Sequence, residues 1–123
     1  IEQGVVPWRR PPVLFVLGRY TPGQRSQPRD LLPFLAANAP QFPWMVCAFG
    51  AQEGAAGVTA ALLGGQVRLG FENNLLLPDG QPAPDNAALV AVLARSLALQ
   101  GRRPATAAEA RRLFDGEDLA ESP

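Results

Sequence analysis

Three apolar runs, separated by helix-forming segments, constrain the fold of this chain more than any other feature. The runs cover residues 13–18, 44–49 and 67–72. Continuous apolar runs, such as the first two, are typical of strands that are covered on both faces of a parallel sheet. Strands that alternate with helices form right-handed βαβ units. We therefore expect an α/β fold in which the three runs are adjacent parallel strands in chain order.

Four helices are predicted between and after these strands. The first covers about residues 31–38 with Asp30 as its N-cap, and the second is an alanine-rich segment at about residues 54–63. The third is capped by Asp85 or Asn86, and a leucine recurs in it at every fourth position. These leucines, Leu89, Leu93 and Leu97, form one apolar stripe. The fourth helix begins with a capping box.

The capping box is Thr106-Ala107-Ala108-Glu109, and an acidic segment follows the fourth helix.

The chain has 123 residues, whereas a (β/α)8 barrel needs roughly 250. Three parallel strands alone would leave open edges. We therefore expect this chain to contain the last three βα units of such a barrel, so that the barrel is incomplete in this chain. The predicted division is a barrel portion over residues 1–114 and an acidic, disordered tail over residues 115–123. Because the chain begins with Ile1, we also expect it to be a piece of a longer protein.

Composition excludes several classes of function. The net charge is zero, so a basic nucleic-acid surface is not supported. No stretch approaches the roughly 20 apolar residues of a membrane span. There is no histidine, which excludes histidine-based triads and histidine metal ligands within this chain. The single cysteine, Cys47, is interpreted as a small core residue and agrees with a reducing, cytoplasmic location.

The third run carries the most informative polar residues. Strand alternation predicts that Val67, Leu69 and Phe71 face the helices, and that Arg68 and Glu72 point to the other side, into the barrel lumen. Glu72 then lies at the carboxyl end of the strand, where barrel enzymes place their active sites. Two alternatives remain open at this point, which are a buried ion pair between the two residues and an edge strand with a solvated polar face.

Three segments of the chain resemble one known family. They are Leu-Gly-Gly-Gln-Val-Arg-Leu-Gly-Phe-Glu-Asn-Asn at 63–74, Asn-Ala-Ala-Leu-Val at 86–90 and Pro-Ala-Thr-Ala-Ala-Glu-Ala-Arg at 104–111. Their order and spacing resemble the C-terminal part of the β-keto acid cleavage enzymes over most of residues 12–114. The resemblance implies a zinc-dependent (β/α)8 enzyme that converts a β-keto acid and acetyl-CoA to acetoacetate and a new acyl-CoA.

The resemblance also implies roles for individual residues. Glu72 matches the family's carboxylate zinc ligand, and two histidine ligands would come from a His-x-His motif in the N-terminal half, outside this chain. Arg68 matches an arginine that orients the acidic residue after that glutamate. Here this next residue is Asn73, and an amide cannot act as a general base at neutral pH. Either another group is the base, or Asn73 only hydrogen-bonds the substrate, or the reaction differs.

Two functional interpretations follow. In the first, the chain is part of this transferase, whose partners are a small β-keto acid and acetyl-CoA, and whose full-length form is a homo-oligomer. In the second, it is a non-catalytic, truncated α/β fragment that acts, if at all, by association with a partner or with itself. In both interpretations the chain alone is expected to be inactive. A His-x-His motif encoded in frame upstream of Ile1 would favour the first.

Overall fold

The computed structural model describes residues 3, 5, 10–19, 25–38 and 42–115. Within them the chain alternates strands with helices, as the apolar runs predict. In chain order the elements are β1 (Val13–Leu17), a 3₁₀ helix (Pro28–Leu31), α1 (Leu32–Ala37), β2 (Trp44–Ala48), α2 (Glu53–Leu62), β3 (Gln66–Val67), α3 (Asn86–Ala98) and α4 (Ala107–Asp115). None of the helices in these residues is long and apolar enough to cross a membrane.

The three strands form one parallel sheet in the order β1-β2-β3. β1 and β2 pair along their whole length, with Val13 opposite Trp44 at one end of the register. β2 and β3 pair only briefly, with Val46 opposite Val67, and the N–H of Arg68 adds one further bond to the carbonyl of Val46 at 2.9 Å. The predicted α/β class and the predicted order of adjacent parallel strands are confirmed.

The third strand is shorter than predicted. The expected strand over residues 67–72 ends at Val67, because the backbone turns at Gly70, whose φ of +149° is rarely adopted by residues with a side chain. The N–H groups of Asn73 and Asn74 then bond back to the Gly70 carbonyl at 2.9 and 3.1 Å. The predicted alternation is therefore wrong beyond this point, and Phe71 is 40% exposed instead of lying under the helices.

Two of the predicted helix starts are confirmed and one is wrong. The Asp85 carboxylate accepts the N–H of Ala88 at 2.8 Å and caps α3. Thr106 and Glu109 exchange the two hydrogen bonds of a capping box at the start of α4. Asp30 does not cap α1, because a 3₁₀ helix precedes that helix and Asp30 lies inside it, where its carboxylate accepts the N–H of Gln27 at 2.8 Å.

The core lies between the sheet and the helices on one of its faces. Its fully buried members come from β1, β2, α2 and the 3₁₀ helix and are Leu17, Leu31, Val46, Ala48, Ala56 and Ala60. Phe15 stacks on Trp44, with ring centroids 5.6 Å apart. On the other face of the sheet, Leu14 and Val16 are exposed. The described part of the chain therefore covers one face of its sheet and leaves apolar surface on the other.

The division into a barrel portion and a disordered tail stays a prediction. Residues 116–123, which make up nearly all of the predicted tail, lie outside the described residues.

Two glycines near α2 offer a matched test of this packing. A Cβ at Gly65 would lie 2.3 Å from the Trp44 ring, whereas a Cβ at Gly54 would meet nothing within 4 Å. We expect Gly65→Ala to lower the free energy of unfolding by about 1–3 kcal/mol through overpacking, and Gly54→Ala, in a helix, to raise it by up to about 1 kcal/mol. Urea denaturation measures both changes. Equal effects of the two substitutions would contradict this packing.

Candidate functional site

A tight turn of residues 70–74, which we call the 70–74 turn, follows β3 at its carboxyl end. It is held against the neighbouring elements by backbone bonds as well as by side chains. The Asn73 carbonyl accepts the N–H of Gly50, just after β2, at 3.0 Å. The Asn86 side chain, at the start of α3, accepts the N–H of Phe71 at 2.8 Å. The turn therefore presents its side chains at a fixed place beside the carboxyl ends of two strands.

Arg68 brings the three residues singled out from the sequence together. Its Nη2 lies 2.5 Å from Oε2 of Glu72 and donates to Oδ1 of Asn73 at 3.2 Å. The side chains of Arg68 and Glu72 are 40% and 61% exposed, so the alternative of a buried ion pair is wrong. The alternative of a solvated edge remains compatible with this geometry, because no further strand pairs with β3 among the described residues.

Asn73 is the buried member of this group. The residue is 8% exposed, and its Nδ2 is buried with no hydrogen-bond partner among the described residues. A buried donor without a partner costs about 1–3 kcal/mol. Because Oδ1 accepts from Arg68, Nδ2 is the donor of this amide that is left without a partner in the described residues.

Glu53 is a polar residue that the sequence analysis missed. It begins α2 and is 2% exposed. Its Oε1 accepts the N–H of Gly70 at 3.1 Å, and its Oε2 accepts Nδ2 of Asn74 at 3.2 Å. Burial raises the pKa of this carboxyl, and the bonds from Gly70 and Asn74 oppose the rise. A carboxylate inside the protein thus contacts the first and last residues of the 70–74 turn.

A signal for Glu53 was present in the sequence. An acidic residue at the start of a helix normally needs no special explanation, because it suits the helix dipole. However, Glu53 is the only charged residue between Asp30 and Arg68. An isolated charge within a long, otherwise uncharged stretch of a core-forming region could have marked it as a buried, hydrogen-bonded group.

Cys47 lies in β2 close to this site. It is 1% exposed, in agreement with its interpretation as a core residue. Burial raises the pKa of its thiol, while the charge of Arg68 lowers it and that of Glu72 raises it. The net effect keeps the thiol protonated at neutral pH, so Cys47 contributes packing and not a thiolate.

The described residues do not form a complete metal site. They contain no group of three or more aspartate, glutamate, cysteine or histidine side chains that could hold a metal ion. Of the three residues singled out from the sequence, Glu72 could supply one ligand, because its carboxylate is accessible and follows the carboxyl end of β3. Catalytic zinc sites have three protein ligands and an open position, so a site of that kind would need at least one ligand from outside these residues.

Comparisons with known proteins agree on one family. A family model described as beta-keto acid cleavage enzyme matches residues 1–115. Two curated relatives, both named 3-keto-5-aminohexanoate cleavage enzyme, come from Acetoanaerobium sticklandii and Fusobacterium nucleatum subsp. nucleatum. They are 34% identical to this chain over 100 and 101 residues. Each match covers 81% of this chain but only 36% of the relative, so the chain spans little more than a third of the length of these relatives.

Proposed function

The chain belongs to the family of beta-keto acid cleavage enzymes, and from that premise we propose that it supplies the carboxyl-terminal part of such an enzyme's active site. The proposed reaction is that of a β-keto acid with acetyl-CoA, which gives acetoacetate and a new acyl-CoA. The observation that carries the proposal is the contact of one Arg68 nitrogen with both Glu72 and Asn73 at the end of β3.

We propose further that the three βα units are part of a (β/α)8 barrel. Three structural observations and the length of the relatives support this architecture. The strands are parallel and in chain order, the helices of the core cover one face, and Leu14 and Val16 leave apolar surface on the other. The relatives are long enough to supply the remaining strands, because the match covers only 36% of their length. In a closed barrel the exposed apolar side chains would line the lumen.

In this proposal Glu72 is the carboxylate ligand of a zinc ion, with two histidines from the missing part of the barrel. Bound zinc would act as a Lewis acid and polarise the keto group of the substrate. The chain's own contribution is the placement of the carboxylate. Arg68 leaves one Glu72 oxygen, Oε1, outside its short contact with Oε2, so the glutamate can be oriented and still bind.

Asn73 would bind the substrate rather than take a proton from it. An amide has no usable pKa for a base, but the buried Nδ2 lacks a partner in the described residues and would donate to a substrate carbonyl or carboxylate oxygen brought within its reach. Arg68 fixes the orientation of this amide by donating to Oδ1. The proton would then be removed by a group other than Asn73.

The direct test is turnover by the full-length protein, by which we mean the longest product encoded in frame with this chain. The purified protein, loaded with zinc, is mixed with acetyl-CoA and a panel of β-keto acids, and acyl-CoA and acetoacetate are measured. Formation of both products in equal amounts is expected. Their absence with every substrate would contradict the proposal and favour a non-catalytic protein that associates through the exposed apolar face. The homo-oligomeric state and the cytoplasmic location stay predictions.

Arg68→Lys tests the role of the guanidinium. One nitrogen, Nη2, reaches both Glu72 and Asn73. The ammonium of lysine is a point charge on a side chain one atom shorter and does not reach the same place. We expect kcat/KM to fall by about 10–100-fold, as is typical when a residue that orients a metal ligand is changed. Arg103→Lys is the matched control. Arg103 also forms a salt bridge with a glutamate, at 2.6 Å, but its partner Glu109 lies in α4, far along the chain from Arg68. Equal activity of both variants would remove Arg68 from the mechanism.

A further inference from the structure

We propose that Glu53 is a positioning residue, whose buried carboxylate fixes the 70–74 turn and thereby the placement of Glu72 and Asn73 beside Arg68. The effect expected on turnover rests on the proposed function. The effect expected on the turn itself does not.

The geometry places Glu53 at both ends of the turn. One carboxylate oxygen accepts the backbone N–H of Gly70, the first residue, at 3.1 Å. The other accepts the side-chain amide of Asn74, the last residue, at 3.2 Å. Glu72 and Asn73 lie between these two anchors. A single rigid group therefore spans the segment that carries both side chains.

Asn74 also links Glu53 to the backbone of Leu76, which follows the turn. Its Nδ2 also donates to the carbonyl of Leu76 at 2.7 Å, and its Oδ1 accepts the Leu76 N–H at 3.0 Å. All the polar atoms of the Asn74 side chain are thus engaged, which leaves it one orientation. Displacement of the Glu53 carboxylate would release the Asn74 amide from α2 but not from its own loop.

The chemistry of the contact requires a carboxylate. Both partners of Glu53 are donors, and a carboxylate is the side-chain group that offers two acceptors without a donor. An amide of the same size would bring its NH₂ group against one of these donors. Burial of a charged group is costly unless it is hydrogen-bonded, and among the described residues no arginine forms a salt bridge with Glu53. An apolar residue would suit the core better, so we infer that the carboxylate serves the turn.

The position of the turn determines whether Arg68 can contact Glu72 and Asn73. Arg68 reaches Glu72 and Asn73 at 2.5 and 3.2 Å. A displacement of about 1 Å can cost on the order of a hundredfold in rate when it misplaces reacting groups. Gly50 and Asn86 hold the backbone at Asn73 and Phe71. Among the side chains that the structure describes, only that of Glu53 hydrogen-bonds to both ends of the turn.

Glu53→Gln in the full-length protein tests the structural part by hydrogen exchange and mass spectrometry. We expect amide exchange across residues 70–76 to accelerate by about tenfold or more, because a glutamine keeps one of the two bonds and meets the other donor with its own NH₂ group. Glu109→Gln is the matched control, since Glu109 also lies in the first turn of a helix but bonds to Thr106 and Arg103. Unchanged exchange throughout residues 70–76 in Glu53→Gln would overturn the proposal.

Kinetics separate positioning from a purely structural role. A positioning role predicts that kcat of the folded Glu53→Gln protein falls by about tenfold or more, with KM for acetyl-CoA changed by less than about threefold. A structural role alone would lower the melting temperature and leave kcat unchanged, which would overturn the proposal. If wild type itself cleaves no β-keto acid, the proposed function fails, and hydrogen exchange still decides whether Glu53 fixes the turn.

A second variant keeps the test decisive if Glu53→Gln does not fold. Asn74→Ala removes one of the two donors and leaves the Gly70 N–H bonded. We expect it to raise exchange across residues 70–76 and to lower kcat relative to wild type, and wild-type values of both would overturn the proposal. The double variant Glu53→Gln, Asn74→Ala should lose no more than Glu53→Gln alone, because the substituted amide then faces a single donor. Additive losses, as expected for independent sites, would contradict the proposal.

Discussion

Glu72→Gln should remove most of the zinc binding and most of the turnover of the full-length protein. A neutral amide oxygen is a much weaker zinc ligand than a carboxylate. Changes to groups that only orient a ligand cost about 10–100-fold, so we expect loss of the ligand itself to lower zinc affinity and kcat/KM by at least about a hundredfold. Folding should change little, because the Glu72 side chain is 61% exposed and an exposed salt bridge contributes about 0–1 kcal/mol.

Calorimetric zinc titration, turnover and thermal unfolding of this variant should be measured together. Glu109→Gln is again the control, since it removes an accessible salt bridge with Arg103 without touching the site. Wild-type zinc affinity and turnover in Glu72→Gln would show that Glu72 does not bind the zinc ion. Its contact with Arg68 would then be only a surface ion pair at a strand edge.

The first two strands could be predicted from the sequence because each is a strong local signal, and their order and direction followed from the helices between the strands. The runs at residues 13–18 and 44–49 are continuous and apolar, and both are strands within one residue of the predicted ends. The helix after residue 85 was equally clear, because a capping residue and a leucine stripe agree there. Such features depend on neighbours in the chain and need no knowledge of tertiary contacts.

The end of β3 could not be predicted in the same way. Alternation would place Arg68 and Glu72 on one side of a straight strand, whereas the chain leaves the strand at Val67 and turns at Gly70. The two side chains still meet, but because the turn folds Glu72 back and not because of the strand's period. A glycine inside an apparent strand is a known sign of such a break, and this sign was outweighed by the apolar residues around it.

The supporting part of the site was missed for a different reason. The contacts of Glu53 with Gly70 and Asn74 join residues that are 17 and 21 positions apart. Only the packing of α2 against the sheet creates them. The pattern of residues in α2 predicts a helix correctly but says nothing about which loop its first turn meets.

The 123-residue chain by itself should neither bind zinc tightly nor cleave β-keto acids. It contains no histidine, and among the described residues no group of three possible ligands is present. Glu72 would therefore act alone. A single accessible carboxylate competes poorly with water for a divalent ion, and an enzyme site needs three protein ligands.

Zinc titration by calorimetry on the purified chain, alongside an assay for acyl-CoA formation, checks this expectation, with the full-length protein as the positive control. Light scattering in the same samples should show self-association, because Leu14 and Val16 leave apolar surface on the open face of the sheet. In addition, the outer edges of β1 and β3 have no partner strand in the described part of the chain. Weak or absent zinc binding without turnover agrees with a site shared between this segment and the rest of a barrel. Submicromolar, one-to-one zinc binding together with turnover would contradict it. Such a result would show that the zinc ligands and a general base other than Asn73 all lie within these 123 residues.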